Sequence, residues 1–181
     1  MKKIILWIVV LGVVGTGVWV FGGRWQKSEQ GGEGSTQADY QNIAYEIEGK
    51  MIKLMDGAAQ TEAAPGSASM ITTKYFGNKA EGDLNGDGLA DVVFIITQDG
   101  GGSGTFYYAV AALKTDAGGY IGTNAVLLGD RIAPQTTEFH DGTVVVNYAE
   151  RNPDEPMTVS PSVGVSKYLK VEEGKLVISE Q

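Results

Sequence analysis

The chain contains no cysteine. That removes disulfides, thiolate nucleophiles, cysteine-type structural zinc and cysteine lipidation, so a domain exported without disulfides needs another source of stability. Histidine occurs once, as His140 ahead of an Asp141-Gly142 turn. A lone imidazole there reads as a solvated turn residue, and a Ser-His-Asp arrangement would also need a serine on a strained elbow. Ser103 sits in Gly101-Gly102-Ser103-Gly104-Thr105, which departs from Gly-x-Ser-x-Gly. Positive charge is scarce as well, with 14 Lys and Arg against 22 Asp and Glu and a net charge of −8. Four of the bases, Lys2, Lys3, Arg24 and Lys27, flank the hydrophobic start, leaving ten against all 22 acids and a balance near −12. Such a surface repels phosphate backbones and anionic lipid, which excludes nucleic acid as a partner and any peripheral, charge-driven membrane role. Cations are its natural partners.

What the chain does have begins with an uncharged run over residues 4–21, IILWIVVLGVVGTGVWVF. As a helix at about 1.5 Å per residue it reaches roughly 27 Å, close to the thickness of a bilayer's hydrocarbon core. The first alanine is Ala38, so no Ala-x-Ala cleavage site follows the run. Its length and the missing site favour an uncleaved signal-anchor over a removed signal peptide. The expected organisation is a cytoplasmic N-terminus at 1–3, a transmembrane helix at 4–23, a flexible Gly-rich linker at 24–38 and an extracytoplasmic domain, periplasmic or at the cell surface, over 39–181. At 181 residues, one ordinary domain and an anchor fill the chain.

With 26 glycines and many turn signals, that domain reads as mainly β, an antiparallel sheet or sandwich. Tyr40, Ile43, Ala44, Ile47, Met51, Leu54 and Met55 recur at three- and four-residue spacing. This predicts one helix near 39–56, capped by Asp39 and ended at Gly57, giving an α+β variant. A hairpin turning at Gly49-Lys50 is the alternative. Residues 58–69 read as a loop and 70–76 as the first strand. The run DVVFIIT at 91–97 has the continuous apolar character of a central strand, and 105–114 is its antiparallel partner across the Gly-rich segment 99–105. Further strands are expected at 120–128, 132–139, 143–148, 165–171 and 175–179. Tyr107 and Tyr108 fall on opposite sheet faces by alternation. Asp130-Arg131 and Glu150-Arg151 read as ordinary surface charges near hairpin ends.

One segment carries recognisable chemistry. Asp83-Leu84-Asn85-Gly86-Asp87-Gly88-Leu89-Ala90-Asp91 places oxygen side chains at loop positions one, three, five and nine and glycine at six. Calcium takes six to eight oxygens, and alternate residues of a tightly wound loop can aim at one centre. Asp83, Asn85, Asp87 and Asp91 are the candidate ligands, with the carbonyl of Leu89 at position seven. Magnesium suits the pattern less, because it holds a smaller octahedral shell with several waters. Position twelve is Phe94 rather than the bidentate Glu of an EF-hand. The competing possibility is an Asp/Asn/Gly-rich β-turn that merely precedes a strand.

The stretch FGNKAEGDLNGDGLADVVF resembles the calcium loop of FG-GAP/VCBS-type repeats, whose first five positions are dockerin-like. The resemblance implies calcium on Asp83, Asn85, Asp87, the Leu89 carbonyl and Asp91. It does not extend to a propeller, which needs at least about four blades while this chain has one loop. Over a longer span, through VLLGDRIAPQTTEFHDGTVVVNY, the chain is similar to uncharacterised bacterial secreted or lipoprotein modules with a single such loop, which implies export and a β-rich fold. The expected function is a non-enzymatic, calcium-binding module at the cell envelope, with an envelope protein or glycan as its partner. The alternative is an envelope hydrolase or peptidoglycan-active enzyme whose acidic catalytic residues the sequence does not single out.

Overall fold

The computed structural model describes residues 39–180, so the segments expected as N-terminus, transmembrane helix and linker lie outside the described residues. Among the described residues no helix is long and apolar enough to cross a membrane.

Helix is confined at the start of the domain to a single 3-10 turn, Asp39–Asn42. The helix expected over 39–56 does not form. Instead β1 (Ala44–Ile47) and β2 (Lys50–Lys53) pair antiparallel, with Ile47 opposite Lys50. Glu48 and Gly49 between them have φ values of 49° and 76°. Two successive left-handed residues are the conformation of a two-residue hairpin turn, and glycine adopts it without steric cost. The burial pattern gives the reason: Tyr45, Ile47, Ile52 and Leu54 point inward while Glu46, Met51, Lys53 and Met55 point out. Two runs of period two, separated by a two-residue turn, imitate helical spacing.

The segment expected as a loop at 58–69 also contributes a strand. A turn at Asp56 and Gly57, again left-handed at 51° and 75°, sends β3 (Ala58–Glu62) back along β4 (Met70–Gly82). The latter runs past the expected end at residue 76, with breaks in its pairing to β5 around Gly77. As expected, β5 (Asp91–Asp99) and β6 (Phe106–Lys114) form an antiparallel pair. The strand expected at 120–128 divides into β7 (Tyr120–Gly122) and β8 (Val126–Asp130), both on β6. Between them Thr123 Oγ1 accepts the Ala111 N–H at 3.0 Å, replacing the lost ladder bond. The remaining strands, β9 (Ala133–His140), β10 (Thr143–Glu150), β11 (Val163–Glu172) and β12 (Lys175–Ile178), form a second antiparallel sheet in the order β12-β11-β10-β9. The first has the order β3-β4-β5-β6-β7, with β8 also on β6.

β5 and β6 are buried on both faces, which is why residues 92–96 read as an unbroken apolar run. Val93, Ile95, Ala109 and Ala111 face the second sheet and pack with Val144, Val146, Tyr148, Leu169 and Leu176. Val92, Phe94, Ile96, Tyr108 and Val110 face the opposite way, under the β1-β2 hairpin. There the rings of Tyr40, Tyr45 and Tyr75 surround Phe94 at centroid distances of 5.2 to 5.6 Å. Tilted and edge-on contacts of this kind add about 0.5–1.5 kcal/mol per pair beyond simple burial. Tyr107 and Tyr108 do fall on opposite faces, Tyr107 against Phe76 and Tyr108 donating its hydroxyl to Glu48 at 2.8 Å.

Candidate functional site

The loop 83–91 connects β4 to β5 and is wound tightly by its own side chains. Asp83 Oδ1 accepts the N–H groups of Gly86 and Asp87 at 2.7 and 3.0 Å, and its Oδ2 accepts that of Gly88 at 2.9 Å. Asn85 Oδ1 accepts the Asp87 N–H at 3.1 Å while its Nδ2 donates to Asp87 Oδ2 at 2.9 Å. Asp87 Oδ1 accepts the Leu89 N–H at 2.8 Å. Gly86 and Gly88, at φ of 80° and 84°, supply the left-handed steps, with open space around both. Asp83, Asn85, Asp87 and Leu89 are therefore linked within one turn, Asn85 and Asp87 exposed and Asp83 and Leu89 half-buried.

Asp91 differs from the rest. It is fully buried as the first residue of β5, where Oδ2 accepts the Leu84 N–H at 2.9 Å and Oδ1 the Lys114 N–H at 2.7 Å. Its carboxylate ties the base of the loop to the end of β6. Burial pushes the Asp91 carboxyl above its ordinary range, and the charges of Asp87 and Asp83 push the same way. The N–H groups of Lys114 and Leu84 pull it back.

No described cation pairs with these acids. Among the described residues the ion pairs are Lys79–Glu81, Arg131–Asp130 and His140–Glu138. Lys114, whose N–H the Asp91 carboxylate holds, turns its ammonium to the Gly118 carbonyl at 3.1 Å and to the face of Tyr120 at 4.4 Å. Beside the loop lies an open depression of about 390 Å³, bordered by Asn85, Asp87, Leu89, Lys114 and Asp116. Asp116 belongs to the turn between β6 and β7, which sequence separation makes distant from the loop and the sheet brings beside it.

The donor chemistry suits a hard cation, since every candidate ligand atom is oxygen. An ionised carboxylate has about four acceptor sites. Asp83 Oδ2 and both oxygens of Asp87 and of Asp91 each receive one N–H, so each retains capacity. Among the described residues no donor reaches the Leu89 carbonyl. Among them, too, no three Asp, Glu or His side chains converge closely enough to hold an ion by themselves. A cation here would therefore need Asn85, the Leu89 carbonyl and water to complete its shell.

The other candidates lie apart. Ser103 is exposed in the β5-β6 connection. His140 is exposed on β9 with Glu138 Oε2 at 3.3 Å. It shares a depression on the second sheet with Ser179, whose hydroxyl donates to the Glu180 carbonyl. Asp130 and Arg131 are more than surface charges. Asp130 Oδ1 accepts the Thr105 N–H at 2.9 Å, and Oδ2 accepts Arg131 Nη2 at 2.8 Å. Arg151 in turn donates to the carbonyls of Arg131 and Val159, which fastens the segment after β10. Sequence gave no sign of this, because the partners are brought together only by the sheets. No family model, curated protein or solved structure matches the chain.

Proposed function

We propose that the chain is a non-enzymatic, membrane-tethered module of the cell envelope in which one calcium ion steadies the loop feeding its central strand. Asp83, Asn85, Asp87, the Leu89 carbonyl and Asp91 would hold the ion, with water completing the shell. The ion supplies positive charge where Asp83, Asp87 and Asp91 otherwise repel one another. The observation that carries this reading is that oxygen-only loop, whose acids have no described cationic partner. Without a bidentate Glu at position twelve the site belongs to the weaker calcium loops, which fill where free calcium is millimolar, outside the cytosol. That condition agrees with residues 4–21 as an anchor that leaves the domain extracytoplasmic. An envelope protein or glycan would then be the partner of the folded domain.

Calorimetric titration of the full-length chain with calcium tests this. The expected outcome is one equivalent of binding, lost in Asp87→Ala and retained in Asp154→Ala, which changes an exposed acid in the segment between β10 and β11. Absence of binding heat at millimolar calcium would overturn the calcium assignment.

A further inference from the structure

The edges of the two sheets are treated unequally. On β12, Asn124 closes the outward backbone of Leu176, accepting its N–H and donating to its carbonyl, both at 2.9 Å. On β8, Lys167 donates to the Leu127 carbonyl at 2.8 Å. β7 is flanked by β1, where the Glu46 N–H reaches the Thr123 carbonyl at 3.1 Å. β9 carries Pro134 and a break in its pairing, and Asn78 donates to its Gln135 carbonyl at 3.2 Å. These are the usual devices that keep sheet edges from pairing with other chains.

β3 has none of them along its middle. Odd-numbered residues there turn their backbone towards β4, as shown by Tyr75 N–H to Gly57 O and Ala63 N–H to Ser69 O, so even-numbered residues face outward. Met55 closes Ala58 with two bonds of 2.8 and 3.1 Å. The outward N–H and C=O groups of Gln60 and Glu62 have no partner among the described residues. The pairing to β4 is regular, without a bulge, and the strand contains neither Lys nor Pro.

The sequence of this edge is close to a palindrome: Ala58-Ala59-Gln60-Thr61-Glu62-Ala63-Ala64. We infer that β3 pairs antiparallel with β3 of a second copy of this chain, about a two-fold axis through Thr61. In that register Gln60 lies opposite the partner's Glu62, an amide facing a carboxylate, twice per dimer. Glu62 Oε2 accepts the Gly66 N–H at 2.9 Å, and Oε1 remains for the partner's Gln60. Thr61 meets the partner's Thr61, and alanine meets alanine beyond, so no like charges are opposed. The four outward groups of Gln60 and Glu62 all find partners. An open groove of about 520 Å³ lines this edge beside Lys53, Met55 and Ala59, and the partner's Ala63, opposite Ala59, enters it. Met55, 71% exposed, supplies an adaptable apolar wall. So short an edge belongs to the small, transient class of interfaces, below about 1,200 Å².

The chain has no cysteine, so Thr61→Cys is a single-site probe. Because Gln60 and Glu62 carry the hydrogen bonds, Thr61 occupies a non-hydrogen-bonded pair with Cα atoms about 4.5 Å apart, within disulfide range. Under mild oxidation, full-length Thr61→Cys is expected to form a covalent dimer at least about tenfold faster than Ser103→Cys, an exposed loop control. Sedimentation of the uncut chain should show concentration-dependent dimerisation. Gln60→Lys faces the partner's Glu62 and tightens it, and Gln60→Glu weakens it, each by about 2- to 30-fold, since two cross-strand pairs change together. Gln60→Pro, which deletes only an outward N–H, abolishes it. Circular dichroism confirms that each variant is folded. Equal oxidation rates for the two cysteine variants, or a dimer indifferent to the sign of charge at residue 60, would overturn the assignment. So would a monomer at all concentrations.

Discussion

The carboxylate of Asp91 and the backbone N–H of Lys114 are joined by a 2.7 Å hydrogen bond at the point where the loop 83–91 meets the central strands. The same carboxylate accepts the Leu84 N–H, so removing it orphans two amides, one of them buried. An unsatisfied buried donor costs about 1–3 kcal/mol, and Asp91→Ala is expected to lose at least that much even in chelator. Asp91→Asn loses less, because its amide oxygen still accepts one of the two. Urea denaturation in chelator distinguishes this from a role in ion binding alone, for which neither variant would differ from wild type under those conditions.

Phe139 lies across Gly82, the residue before Asp83. A Cβ added at Gly82 would come 2.1 Å from a carbon of that ring. Gly82→Ala is therefore expected to cost about 1–3 kcal/mol, the usual penalty of forcing extra carbon into a packed contact. Combining it with Phe139→Ala should relieve the clash, giving a coupling of roughly 1 kcal/mol or more in a double-mutant cycle. Strict additivity would show that the ring does not bear on the glycine.

The Arg131 guanidinium, by donating to Asp130, holds its carboxyl below the ordinary value of 3.8. Burial opposes this, and the Thr105 N–H with the charges of Arg131 and Arg151 reinforces it. A carboxyl lowered in the folded state contributes stability above its unfolded pKa, and that stability is lost as pH falls through the folded value. Asp130→Asn should flatten the acid limb of the stability curve below about pH 4 and leave its slope near neutrality unchanged. Parallel acid limbs for wild type and variant would contradict the pairing.

If residues 4–21 anchor the chain, full-length protein sediments with membranes and resists a high-salt wash, since a span of roughly 27 Å inserts through apolar contact rather than charge. Starting the chain near Ser28 should release it. Soluble mature protein with a new N-terminus between residues 17 and 23 would instead establish a cleaved signal.

The central pair β5 and β6 was legible because burial on both faces leaves an apolar run no other element explains. The β1-β2 hairpin was legible only as the alternative to a helix, with its turn placed one residue late at Gly49-Lys50, because Ile43, Ile47 and Leu54 satisfy helical spacing and the positive φ of Glu48 and Gly49 decides between the periods. β3 was hidden by composition: Ala-Ala-Gln-Thr-Glu has little strand propensity and is held by pairing to β4. In the loop, spacing singled out Asp83, Asn85, Asp87 and Asp91. The second task of Asp91, holding the end of β6, could not be read, since Lys114 is distant in sequence and presents its backbone rather than its side chain.

The most direct test of a calcium-steadied loop is the melting temperature of the full-length chain in chelator and in millimolar calcium. A site with a dissociation constant near 10 μM would be at about a hundredfold excess and stabilise the fold by about 2.7 kcal/mol, raising the midpoint by about 5–10 °C. Asp87→Ala should remove most of that rise, and Asp154→Ala should preserve it. Identical melting of wild type in the two conditions would leave the loop a plain turn, held by its own Asp83, Asp87 and Asp91 hydrogen bonds.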